Sequence, residues 1–202
     1  MGSRIMHYCI TSRLAKLLNM ESAHIHIGGI APDVQEDIHA TKDQSHFVTV
    51  KPSGKKRIDY KMFLHKYKNS LKEPFSVGYF SHLVADYLWY DLITVKYFKA
   101  LPDEGRKAAV QKGYADFRKL NGMLITYYGI EKPDTTIKVD TEIEEVNLLY
   151  LPILLKQFEE DFDNHNDPMK EGLEIYEFKD IIAYIEHCVD QIYELIQESS
   201  CR

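Results

Sequence analysis

The stretch GYFSHLVADYLWYD, residues 78–91, decides how the rest of the chain is read. It lies inside a run from Phe75 to Ile93 in which nearly every position is apolar. A helix there has no polar face to give to solvent and is expected at the centre of the core. His82 and Asp86 interrupt it, four residues apart. At a rise of 1.5 Å per residue they stand one turn apart on one face, about 6 Å along the axis, so both side chains can reach one cation. An unpartnered carboxylate at Asp86 would be costly to bury. Two readings follow: a His–Asp hydrogen bond satisfied within the core, or two ligands of a metal site.

Outward from this helix, helical periodicity dominates. Ser3 is expected to cap a first helix running to about Asn19, with Ile10, Leu14, Leu17 and Leu18 inward. His7 shares that side, since positions 7, 10, 14 and 18 align at helical spacing. Residues 20–57 contain Gly28-Gly29, Pro32, Asp33 and KPSGKKR, and read as a long irregular polar segment over one end of the molecule. From Asp59 a helix leads to Pro74, which suits the first turn of a central helix over about 74–98. Asp103 is placed to cap the next helix. Thr141 and Glu144 have capping-box spacing ahead of VNLLYLPILLKQF, with a kink expected at Pro152. FKDIIAYIEHCVDQIYELIQ is amphipathic. The expected fold is all-α, a single helical domain over 1–202.

Composition narrows the setting. With 202 residues, 45% of them hydrophobic, the chain can build one compact core. A net charge of −6 gives no general pull toward nucleic acid or anionic lipid. Cys9, Cys188 and Cys201 are few, odd in number and far apart, which suits a reducing cytosol. The opening MGSRIMHYCITSRLAKLL lacks a signal-peptide pattern. His82, Asp86 and Asp91 break the one run of nearly bilayer length. A cytoplasmic protein without stable membrane insertion is expected.

The polar segment bears on the central pair. It supplies Asp33 in GGIAPD, His39, Asp43, and His46 in QSHF, while the first helix turns His7 inward. Histidine nitrogens and carboxylate oxygens are suitable zinc ligands at about 2.0–2.2 Å. A binuclear site also needs a bridging carboxylate. Three segments therefore offer a set: His7; Asp33 and His46; His82 and Asp86.

This ordered set, an early inward histidine, a loop aspartate, the histidine of SHF and a helical HxxxD, resembles the bacterial zinc-dependent phospholipase C family. The single-strand-specific zinc nucleases share the ligand scheme. The resemblance covers roughly residues 1–95. It implies an all-α fold holding a cluster of zinc ions that hydrolyses phosphodiesters. His7, Asp33, His46, His82 and Asp86 match the family's ligands, Asp33 as a bridging aspartate and candidate catalytic group. The chain departs from the pattern in three places. The N-terminal tryptophan that supplies an amine ligand in secreted members has no match in MGSRIM. The histidine expected six residues after Asp86 falls on Leu92, with Asp91 as the nearest substitute. No downstream HxxxE exists, because no histidine lies between 83 and 164. Two metal ions are therefore expected rather than three, with His39 and Asp91 as additional candidate ligands. Asp116, Asp140, Glu142 and Glu144 are further carboxylates from which a third site could draw.

The remaining features are weaker. His24 and His26 in HIHIGG have the spacing of barrel metallohydrolases, but 202 residues with little strand pattern is short for such a barrel. His65, His165 and His187 read as solvated. Lys55, Lys56 and Arg57 follow SHF and can meet a phosphate. The expected function is metal-assisted hydrolysis of a phosphate ester, the substrate being a lipid head group or a nucleotide, with zinc or another divalent transition metal as cofactor. The alternative is a non-catalytic helical binding or regulatory module with a structural or vestigial metal site.

Overall fold

The computed structural model describes residues 2–34, 42–163 and 172–200. Helices dominate, as the periodicity predicts. Among the described residues they are α1 (Arg4–Leu17), α2 (Ala23–Ile30), α3 (Tyr60–Tyr67), α4 (Pro74–Trp89), α5 (Asp103–Tyr128), α6 (Leu151–Asp163) and α7 (Phe178–Ser200). The one sheet described is a hairpin of β1 (Val48–Val50) and β2 (Lys56–Ile58), antiparallel, with Val48 opposite Ile58 and Val50 opposite Lys56.

Helix α4 is the axis of the core. Pro74 opens it, where a missing N–H costs nothing. Every residue from Phe75 to Asp86 is then buried, together with Trp89. The chain continues from Tyr90 to Lys99 in a wider π-type winding, which ends where the Arg106 side chain donates to the carbonyls of Phe98 and Leu101 at 3.1 and 2.8 Å. Helices α1, α2, α3 and α7 all pack on α4, and α5 and α6 flank α1.

Within the segment expected to be irregular, residues 23–30 instead form helix α2, capped by the Ser22 hydroxyl on the His24 N–H. It makes the most extensive contact with α4. The Gly28-Gly29 pair, which reads as a loop signal, permits backbone contact between the helices. A Cβ on Gly28 would lie 2.1 Å from the Phe75 carbonyl oxygen, and one on Gly78 would lie 2.0 Å from that of Ile25. His24 and His26 are thus on a helix, not at the end of a barrel strand, and His26 Nδ1 meets the Thr11 hydroxyl at 3.0 Å.

Other expectations change as well: Asp103 is the first residue of α5, following Pro102, rather than its cap. Leu17 is half exposed rather than inward. Helix α6 starts at Leu151, so Pro152 sits in its first turn, where proline is accommodated without a kink. Thr141 accepts from the Ile143 N–H at 3.2 Å in a turn of its own. No helix among the described residues is long and apolar enough to cross a membrane.

Candidate metal centre

Four segments meet around His46, His82 and Asp86. Helix α4 presents His82 and Asp86, α1 presents His7, the turn after α2 presents Asp33, and the turn before β1 presents His46. The Ser3 hydroxyl caps α1 on the Met6 N–H at 3.3 Å and fixes the first turn that holds His7. The His46 turn is pinned to α4 by the Tyr79 hydroxyl, which donates to the Ser45 carbonyl at 2.7 Å. Phe47, the next residue, has φ of 50°, left-handed backbone that costs a non-glycine residue about 1–2 kcal/mol. Its ring is held edge-on against Phe63 and Tyr79.

His7, His46, His82 and Asp86 are all buried, none more than 5% exposed. The contacts converge on the Asp86 carboxylate. His7 Nε2 is 3.4 Å from Oδ1, His82 Nε2 is 3.4 Å from Oδ2, and His46 Nε2 is 3.5 Å from Oδ2. His46 Nε2 also lies 3.6 Å from Asp33 Oδ1. These separations exceed the 2.7–3.2 Å of a protein N–H···O bond. Among the described residues, both Asp86 oxygens and both His7 ring nitrogens lack a hydrogen-bond partner. The reading of His82 and Asp86 as a satisfied core hydrogen bond is therefore not met. Orphaned atoms in one buried place require an explanation. Two ligands at about 2.0–2.1 Å from one tetrahedral ion stand roughly 3.3–3.4 Å apart, close to the separations found here.

Tautomers sharpen the point. His82 Nδ1 is 2.8 Å from the Gly29 carbonyl oxygen, which can only accept, so Nδ1 carries the proton. His46 Nδ1 is 3.1 Å from both the Lys42 carbonyl oxygen and the Ser45 hydroxyl; that hydroxyl gives its proton to the Pro32 carbonyl at 2.8 Å, which leaves Nδ1 as the donor. In their neutral forms both rings aim bare Nε2 lone pairs at one another, 3.2 Å apart. Such a pair needs a cation between or beside it, either a proton or a metal. Without a metal, burial would push the His46 pKa down, but the Asp33 and Asp86 carboxylates outweigh it and hold His46 up at about 9. His7, stacked on His82 with ring centroids 3.8 Å apart, is pushed down to about 4, first by burial and then by His82. It is a neutral imidazole with a free lone pair. Burial alone would raise Asp86, yet His82, His46 and His7 together hold it well below the usual carboxylate range.

The residues fit a divalent cation. His7, His82 and Asp86 form one group of ligand atoms, and Asp33, His46 and His82 another. His82 can serve only one ion through Nε2, because Gly29 holds its other nitrogen. If two ions bind, Asp86 is the group placed to bridge them. The carbonyls of Gly29 and Lys42 orient the rings, a supporting role that metal-ligating histidines commonly require.

Other expected participants lie elsewhere. Asp91 pairs with Arg57 and is not brought to the cluster. Arg57 also stacks over the Tyr87 ring at 4.1 Å, and Lys56 pairs with Asp43. Neither these two nor Lys55 lines the cavity beside the cluster. His39 lies outside the described residues. Asp116 is fully buried but accepts from the N–H groups of Glu174, Ile175 and Tyr176, fastening that segment to α5. Glu142 accepts from Ser70 and Glu144 from Lys66, and Asp140 is in neither ligand group. Lys42 is a participant that sequence reasoning missed. Its ammonium donates to Asp33 Oδ1 at 2.6 Å, and nothing in its spacing from SHF marks it.

A cavity of about 490 Å³ opens beside Asp33 and Lys42, bounded by α1, α5 and α6. Asp33 has a side chain 13% exposed and is the only one of the five expected ligands that lines it. Compared with models of known protein families, with curated proteins and with solved structures, the chain matches none.

Proposed function

We propose that the chain is a metal-dependent hydrolase acting on phosphate esters, with two divalent cations, zinc foremost, held by His7, Asp33, His46, His82 and Asp86. The observation behind this reading is the pair of imidazoles, His46 and His82, whose Nδ1 atoms are held by carbonyls and whose Nε2 atoms face one another, beside an Asp86 carboxylate without a hydrogen bond among the described residues. Zinc in such a place supplies Lewis acidity and a bound water acidic enough to react near neutral pH.

The chain's own groups do the rest. Asp86 neutralises charge at the centre of the cluster, where burial makes each interaction stronger than in water. Asp33 is held below the usual carboxylate range, since His46, His82 and Lys42 outweigh the opposing effect of burial. That makes it a good ligand and a weak proton acceptor, so its role shifts from base toward coordination. Lys42, paired with Asp33 at the edge of the cavity, holds that carboxylate in place. The cavity favours catalysis over a structural site, because a structural zinc is closed off by protein ligands.

The test is hydrolysis of p-nitrophenyl phosphate and bis(p-nitrophenyl) phosphate by protein stripped of metal and reloaded with zinc. The expected result is zinc-dependent turnover of at least one ester, reduced about 100-fold or more in Asp86→Asn. Protein that loads zinc, yet turns over neither ester faster than the Asp86→Asn variant, overturns the hydrolase reading.

A further inference from the structure

The cavity beside Asp33 has a lining that selects among phosphate esters. Two of its ion pairs are internally satisfied: Arg4 Nε on Asp161 Oδ2 at 2.6 Å, and Lys42 on Asp33. Arg118 is different. It is exposed on α5, lines the same cavity, and makes no ion pair or hydrogen bond among the described residues. One turn along, Asn121 is only 6% exposed, and its Oδ1 accepts from the Ser3 hydroxyl at 2.7 Å. Its amide nitrogen has no hydrogen bond among the described residues and is left as a donor on the cavity wall. A guanidinium and an amide N–H at i and i+3 on one helix face make a natural holder for anionic oxygen.

The apolar part of the lining is equally particular. Among the described residues, the hydrophobic side chains lining the cavity are those of Tyr114 and Phe117. Phe117 is fixed from behind by Tyr176, stacked at 5.9 Å and 11°, and by the edge of Trp89. Tyr114 stands edge-on to Phe117 at 5.6 Å and is 59% exposed. Aromatic groups offer a planar ligand offset-stacked or edge-to-face contacts, whereas an acyl chain finds no aliphatic groove among the described residues. Glu160, also on the lining, gives an acceptor for a hydroxyl or amine of the ligand.

Resting on the phosphate-ester reading, we infer that this cavity binds the alcohol part of the substrate, and that this part bears a planar ring, as in a nucleoside or aryl phosphate. Arg118 and Asn121 hold phosphate oxygen, and Tyr114 with Phe117 receives the ring. Tyr114 and Arg118 are specificity determinants outside the ligand cluster.

The test uses the full zinc-loaded chain and two phosphonates, whose C–P bond is not hydrolysed: 2-phenylethylphosphonate, with a ring, and hexylphosphonate, with an aliphatic chain. Titration calorimetry on wild type, Tyr114→Ala and Arg118→Gln reads the affinities, with zinc content measured on each sample. Both substituted side chains are exposed, so folding is expected to persist. The expected result is a three- to tenfold preference for the phenyl compound, lost in Tyr114→Ala. Arg118→Gln should weaken both compounds about tenfold and leave the preference intact. Equal or tighter binding of the hexyl compound overturns the inference, as does a preference unchanged by Tyr114→Ala. If that happens with zinc present, the metal-centre reading stands and this inference fails. A zinc-free protein that still selects the ring through Tyr114 supports the inference and overturns the metal reading; one that binds neither compound overturns both.

Discussion

Gly78→Ala tests how the fold positions the cluster. In an exposed helix the change would stabilise by about 0.8–1 kcal/mol. At the crossing of α2 and α4 the added methyl would stand 2.0 Å from the Ile25 carbonyl oxygen and 2.7 Å from the Gly29 nitrogen, where Cβ contacts under 3.0 Å essentially do not occur. The helices would have to part by about 1 Å, and overpacking of this kind costs about 1–3 kcal/mol. The His82 Nδ1–Gly29 carbonyl hydrogen bond, now 2.8 Å, spans the same crossing and would leave hydrogen-bonding range, adding about 1 kcal/mol. After the propensity gain is subtracted, a net loss of about 1–3 kcal/mol remains. Losing an orienting partner typically lowers metal affinity 10- to 100-fold. Urea unfolding of the metal-free protein gives the first quantity, and zinc competition with a chromophoric chelator gives the second. Gly105→Ala, where a new Cβ meets nothing within 4 Å, is the control and should be neutral or stabilising. A Gly78→Ala protein as stable as wild type, with unchanged zinc affinity, would refute the close-crossing account.

Other perturbations probe separate parts of the molecule. Burial holds His26 down at about 4 against 6.5 for a free histidine, so the unfolded chain takes up a proton that the folded one refuses. Its contribution to stability is constant above pH 6.5 and falls as pH drops toward 4, by no more than about 2 kcal/mol at pH 5. His26→Gln should therefore narrow the gap between urea midpoints at pH 7.5 and pH 5, and an unchanged gap would contradict this. Asp116→Ala removes the acceptor of three backbone N–H groups and should cost about 2–4 kcal/mol in the same assay; a loss under about 0.5 kcal/mol would show that the fastening of residues 174–176 is dispensable.

The all-α class was legible because long helices such as α4 and α7 declare themselves, one by an apolar run interrupted only at a few positions and the other by amphipathic spacing. Helix α2 was not. AHIHIGGI is short and buried around most of its circumference, and its glycine pair looks like a loop breaker until the facing backbone of α4 is known. The same limit applies at the cluster. His7, Asp33, His46, His82 and Asp86 could be nominated by residue type and helical spacing, and the fold brings all five together. What orients His82 and His46 is main chain, the carbonyls of Gly29 and Lys42, and main chain leaves no residue-type signal. Asp91 looked suitable by its distance from Asp86 in sequence. Five residues of helical advance carry it to another face, where it meets Arg57. The cavity residues of α5 and α6 come from parts of the chain with no motif, and only their convergence on Asp33 marks them.

The claim that the buried cluster is a metal centre is tested most directly by metal content. Elemental mass spectrometry on protein purified without an affinity tag or chelator should find about two equivalents of zinc or a related divalent metal. His82→Ala and Asp86→Ala should each lose most of it while far-UV circular dichroism retains the helical signal. Wild-type protein that contains no metal, and takes up none when offered zinc, would contradict the account and leave His46, His82 and Asp86 joined by a proton alone.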